Sequence, residues 1–127
     1  MIKFKTDRQK SEYESLSIYN KRLRDVLDMV ALYARVEFDK DITVTDLFRT
    51  QAEFDSLYAE TPVDKRPSTS PHLTQEAADL RSSDFTDNER NKILKLLSAV
   101  TYRDGKPSAL VHQITGNALH FHIQVRK

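Results

Sequence analysis

Near the end of the chain, Leu119, Phe121, Ile123 and Val125 alternate with His120, His122 and Gln124. Side chains of a β-strand point to opposite faces in turn, so this period of two puts four apolar residues on one face and two imidazoles with an amide on the other. One face is core and the other is chemical. The rest of the chain must therefore supply a layer that buries the apolar face and leaves the polar one to a site.

The remaining pattern supplies that layer. Leu16, Tyr19, Leu23, Val26, Leu27, Val30, Tyr33 and Ala34 recur at three- and four-residue spacing, which predicts one long amphipathic helix. After the charged turn at 39–41, residues 42–48 are rich in β-branched and aromatic side chains and read as a buried strand ending near Arg49. Thr50 and Glu53 form a capping-box pattern ahead of Phe54, Leu57 and Tyr58, giving a short helix through about Glu60. Residues 61–71 hold Pro62, Pro67 and Pro71 among Ser and Thr, a composition for a loop, either a flap over a site or a surface excursion. A short strand over 77–82 is followed by a second capping box, Thr86 with Glu89, and a core helix carrying Ile93, Leu96, Leu97 and Val100. Residues 103–107 turn the chain into a C-terminal hairpin, strands 109–114 and 119–125, joined by Thr115-Gly116-Asn117. The order is helix, strand, helix, loop, strand, helix, hairpin. That order defines an α+β fold with a mainly antiparallel sheet packed with helices.

Composition narrows the function. At 127 residues the chain is the size of one domain, 1–127. Lys and Arg total 20 against 19 Asp and Glu with no stretch of one sign, so no nucleic-acid partner is expected. With no Cys, disulfide scaffolds, Cys-type zinc sites and thiol nucleophiles are excluded, and any metal must be held by His and carboxylates. Residues 1–10 carry charges every second or third position, which predicts neither a secretory signal nor membrane insertion but cytoplasmic synthesis.

Two imidazoles two residues apart on a strand project side by side, so one can bind a metal while the other meets a water or substrate; they can equally be exposed histidines without a role. His72 lies at the end of the Pro/Ser loop, and Asp79 seven residues on, among the apolar residues Ala77, Ala78 and Leu80. A buried carboxylate needs a partner, because an unpaired charge in low dielectric costs several kcal/mol. A divalent cation is one such partner and a salt bridge to Arg81 or Arg49 is another. Asp79, His72 and one imidazole of the last strand make a three-ligand site with a fourth position open, the arrangement of catalytic zinc.

At these residues the sequence resembles the zinc peptidases that cut bacterial cell-wall peptides: D-alanyl-D-alanine carboxypeptidases, L,D- and D,D-endopeptidase endolysins and penicillin-insensitive murein endopeptidases, whose fold is shared with the signalling domain of hedgehog. Ser70, His72, Ala77 and Asp79 match a pattern resembling Ser-x-His-x-x-Gly-x-Ala-x-Asp, and His120-Phe121-His122 resembles the His-x-His strand that closes the site. The resemblance implies zinc held by His72, Asp79 and His122, and an active-site role for His120. It also implies substrate binding at Arg49, in Phe48-Arg49-Thr50, and at Ser70. Two positions depart from it. Gln75 stands where the pattern has Gly, which affects a turn, and residues 108–125 contain no acidic residue where many carboxypeptidase members place a catalytic Glu. Either a histidine takes that role or hydrolysis has been lost.

His112 depends on the hairpin register. A three-residue turn sets 112 opposite 120, and a two-residue turn sets it opposite Phe121. In the first register all four histidines gather at one place and His112 joins His120 as catalytic. The resemblance implies a zinc peptidase hydrolysing D-amino-acid-containing bonds of peptidoglycan. Its partner is a wall peptide, and its setting a phage lysis enzyme in the host cytoplasm, or a virion component among virion proteins. The alternative is a degenerate metal-binding or wall-recognition module.

Overall fold

The computed structural model describes residues 1–103, 106–107, 109–112 and 119–127. The fold is α+β. Strands β1 (Ile2–Phe4), β2 (Ile42–Asp46), β3 (Ala77–Arg81), β6 (Ala109–His112) and β7 (His120–Gln124) form a five-stranded sheet in the order β1-β2-β3-β7-β6. A separate ribbon pairs β4 (Thr101–Arg103) with β5 (Lys106–Pro107), so the segment expected only to turn the chain contributes a short strand. Only the β1–β2 pairing is parallel in the main sheet, so the sheet is mixed with an antiparallel majority. Helices α1 (Asp7–Tyr19), α2 (Lys21–Phe38) and α4 (Asp87–Leu97) contribute Leu16, Leu23, Leu27, Val30, Ile93 and Leu97 to one core, against Ile42, Val44, Ala78, Leu80, Phe121 and Ile123 of the sheet. The alternate residues, Asp79, His120 and His122 among them, lie on the opposite face, as the period of two requires. Among the described residues no helix is long and apolar enough to cross a membrane.

The long helix expected from the spacing of Leu16 to Ala34 is two helices. Asn20 leaves helical geometry between them at φ −161° and ψ 81°. Its Oδ1 accepts from the Leu23 amide at 3.1 Å and caps α2, while its Nδ2 donates to the carbonyls of Gln75 (3.0 Å) and Val125 (2.8 Å). The apolar period runs through this break because Leu16 and Leu23 both face the same core. Periodicity cannot report a bend that keeps the buried face buried.

Strand β2 stops at Asp46, short of Arg49, because the next residues use their backbone groups elsewhere. The carbonyl of Leu47 meets a ring nitrogen of His72 at 2.6 Å. The Phe48 amide donates to Glu12, the Phe48 carbonyl accepts from Arg8, and the Arg49 amide donates to the His72 carbonyl at 3.1 Å. These four groups are therefore not free to continue the ladder. Both capping boxes form as the sequence predicts, Thr50 with Glu53 opening α3 (Gln51–Leu57) and Thr86 with Glu89 opening α4. α3 ends three residues before Glu60, in tight turns in which the Ala59 amide donates to Ser56 and the Thr61 amide to Tyr58. The Pro/Ser segment carries a 3₁₀ turn at Val63–Lys65, and Arg66 Nε donates to the Thr61 carbonyl at 2.8 Å, holding the loop to its own base. The hairpin pairs Val111 with Phe121 and His112 with His120, the register of the three-residue turn. The turn Thr115-Gly116-Asn117 itself lies outside the described residues.

Gln75, where the resembled pattern has Gly, adopts φ 57° and ψ 35°. A side chain in that left-handed region costs about 1–2 kcal/mol, offset by the Asn20 bond to its carbonyl and by a surface contact from Lys127. Gln75→Gly is expected to raise stability by about 0.5–1 kcal/mol in urea unfolding. Asn20→Ala removes a cap and strands two carbonyls, so a loss of about 2–4 kcal/mol is expected. A loss below about 1 kcal/mol would show that Asn20 does not join these segments.

Candidate metal centre

Three segments converge on Asp79. Strand β3 is central, with β2 on one side and β7 on the other, and it carries Asp79 directly opposite His122. His72 sits on a short 3₁₀ turn, Pro71–Thr74, whose start is capped by the Ser70 hydroxyl accepting from the His72 amide at 3.3 Å. His72 Nε2 and His122 Nδ1 each lie 3.1 Å from Asp79 Oδ1. His120 Nε2 lies 3.4 Å from the other carboxylate oxygen, Oδ2. One potential ligand atom from each of His72, Asp79 and His122 falls within 4.8 Å of the others, so the group can hold a metal ion.

The outer hydrogen bonds test whether a cation fits. His72 Nδ1 faces the Leu47 carbonyl, which only accepts, so Nδ1 carries the proton and Nε2 of the neutral ring presents a lone pair. His122 Nε2 faces Gln124 Oε1 at 3.1 Å, which likewise leaves Nδ1 as the inward lone pair. Two imidazole lone pairs and a carboxylate oxygen thus point at one another. Such a set is repulsive unless protons or a metal ion stand between the atoms, and a hydrogen-bond acceptor behind each imidazole is the usual support of a metal ligand. The residues fit a divalent cation.

Without a metal, protons take its part. Burial alone would lower the His72 pKa, but the adjacent Asp79 carboxylate outweighs burial and raises it. Burial alone would raise the Asp79 carboxyl, yet the charge of His72 and the bonds from His122 and His72 hold it far below the usual carboxylate range. Each shift reports the same demand for positive charge beside a buried carboxylate.

Of the other expected site residues, Arg49 is not a surface charge. Its side chain is 9% exposed, ion-paired to Asp46 and 3.9 Å from Asp79 Oδ2. A bulge in β2 sets Asp46 opposite Asp79, so the guanidinium sits where two carboxylates would otherwise repel. Ser70 is buried and its hydroxyl is used within the His72 turn. His112 stands opposite His120 in the ladder, while its side chain lies outside the described residues. Sequence reasoning missed Arg8 and Glu12, which fix both backbone groups of Phe48 and so place Arg49. It could not have found them, since partners 36 and 40 residues apart leave no local pattern. Gln124 was legible as the third polar residue of the alternating strand.

Comparison with family models, curated proteins and solved structures finds no match for this chain.

Arg8 also binds Glu53 in a fork, at 2.5 and 2.8 Å, and this pairing with the Thr50 amide bond lowers the Glu53 pKa from 4.5 to about 2. A carboxyl whose folded pKa is depressed adds stability above its unfolded value and loses it as pH falls through the folded one. Glu53→Gln keeps the cap but not the charge. The melting-temperature gap between wild type and this variant is expected to be widest above pH 4.5 and to close towards pH 2. A gap that stays constant across that range would rule out the ionic contribution.

Proposed function

We propose that the chain is a zinc-dependent peptidase acting on peptide bonds of bacterial peptidoglycan, with His72, Asp79 and His122 as ligands. The observation that carries this reading is the convergence of two outward-anchored imidazoles on one oxygen of a buried carboxylate, with a further imidazole at the other oxygen. Zinc prefers His and carboxylate donors of this kind, and three protein ligands leave a position for water, as in catalytic sites. Zinc held there would supply carbonyl polarisation and a water acidified towards neutral pH.

The chain's own residues have separate tasks. Leu47 and Gln124 keep His72 and His122 in the tautomer that faces inward. His120, opposite Arg81 on the polar face, takes a proton on Nε2 from the attacking water and returns it to the leaving amine, a general-base and general-acid role that an imidazole can fill. This assignment answers the absence of an acidic residue from 108–125. Arg49, already held by Asp46, would present its remaining donors to a substrate carboxylate. On this reading the D-amino-acid-containing bond and the phage setting rest on the resemblance, and the role of His112 rests on the register that pairs it with His120.

The same absence of an acidic residue favours a second reading, a metal-binding wall-recognition or virion module without hydrolysis. Zinc content and release of amines from isolated peptidoglycan separate the two. Wild-type protein is expected to carry one zinc and release amines. His122→Ala should lose both, and His120→Ala should keep zinc while its rate falls by about 10²–10⁴. Retained stoichiometric zinc in His122→Ala would overturn the ligand set. Zinc without release from several wall types would favour the recognition module.

A further inference from the structure

A groove of about 840 Å³ opens beside the centre, with Asp79, His120 and Arg49 in its wall. Most of its charges cancel. Arg8 is committed to Glu12 and Glu53, Arg49 to Asp46, and Arg90 to Asp87 and the Ser82 carbonyl. Lys5 and Arg81 line the same groove, are exposed, and have no ion-pair partner among the described residues. The groove therefore holds uncompensated positive charge at these positions.

Their placement is built into the sheet. Arg81 is directly opposite His120 and two residues from Asp79 on the same strand, so all three share a face. Lys5 continues β1, its amide donating to the Val44 carbonyl at 2.9 Å. β1 and β3 both flank β2, which sets the two cations on the order of 10 Å apart, two strand spacings. An extended peptide rises about 3.3 Å per residue, so acidic residues two or three positions apart reach both.

We propose that Lys5 and Arg81 form an anion subsite that selects peptides carrying carboxylates beside the segment presented to the metal centre. A peptide fits better than a nucleic acid. A net charge of +1, with no long run of one sign, gives little counterion release to a phosphate at every nucleotide. Leu57 and Leu119 in the wall suit uncharged residues between carboxylates. The subsite rests on the peptidase reading for what lies next to it, but its binding does not require metal.

The test is an amide NMR titration of the metal-free protein with an acetylated, amidated peptide alternating Ala and Glu, and with the same peptide carrying Gln for Glu. The Glu peptide is expected to bind about tenfold more tightly, to weaken with added salt, and to shift resonances around Lys5, Arg81 and His120. Lys5→Gln with Arg81→Gln should abolish the preference while the amide spectrum stays folded. His122→Ala should retain it, so loss of the zinc reading and loss of the subsite are separable. Equal binding of the two peptides, no binding of either, or a preference unchanged in the double variant would overturn the proposal. Tighter binding of a single-stranded oligonucleotide of equal charge would overturn the choice of peptide.

Discussion

Asp79 is a carboxylate only 5% exposed in the middle of a sheet, and that one burial organises the rest of the polar face. An isolated charge there would cost several kcal/mol, so the fold is stable only with positive charge supplied at both oxygens. The 3₁₀ turn brings His72, β7 brings His122 and His120, and the turn after β2 brings Arg49. These groups come from parts of the chain that share no local structure. Their meeting at Asp79 ties the pairing of β3 with β7 to the geometry of the centre.

The surrounding scaffold holds that meeting point by using backbone groups that a simpler fold would spend on secondary structure. Leu47 gives its carbonyl to an imidazole, Phe48 gives both groups to side chains of α1, and Arg49 bonds to the backbone of His72. Asn20 joins the α1–α2 break to the left-handed turn after His72 and to the end of β7. Each bond is worth about 1 kcal/mol. Together they fix the directions from which the imidazoles approach, which matters more for a ligand set than their summed energy does.

What was legible follows from how far each cause reaches along the chain. The alternation 119–125, the capping boxes at Thr50 and Thr86 and the spacing of Leu23 to Ala34 are local, and each gives the element expected from it. The burial of Asp79 is readable from Ala77, Ala78 and Leu80, and its expected partners are a cation shared with His72 and an imidazole of the last strand, or a salt bridge to Arg81 or Arg49. The short parallel strand β1 was not legible, since three residues of alternating Ile, Lys and Phe gain strand structure only by pairing with β2. The break at Asn20, the bulge that sets Asp46 opposite Asp79, and the carbonyl behind His72 were equally hidden. All three depend on backbone placed by residues distant in sequence.

The charge accounting around Asp79 also limits what chemistry the face can carry. Asp46 stands opposite Asp79 across the sheet, and it is tied to Arg49 by an ion pair. To act as a base it would have to give up the guanidinium that separates it from Asp79, restoring the repulsion the bulge would otherwise impose. On the peptidase reading proposed above, proton transfer on this face would therefore fall to an imidazole. His120 has the position for it, beside the carboxylate and at the wall of the groove, with its polar face shared by Arg81 across the ladder. In a His-x-His strand a candidate ligand such as His122 and its neighbour His120 project from the same face by construction.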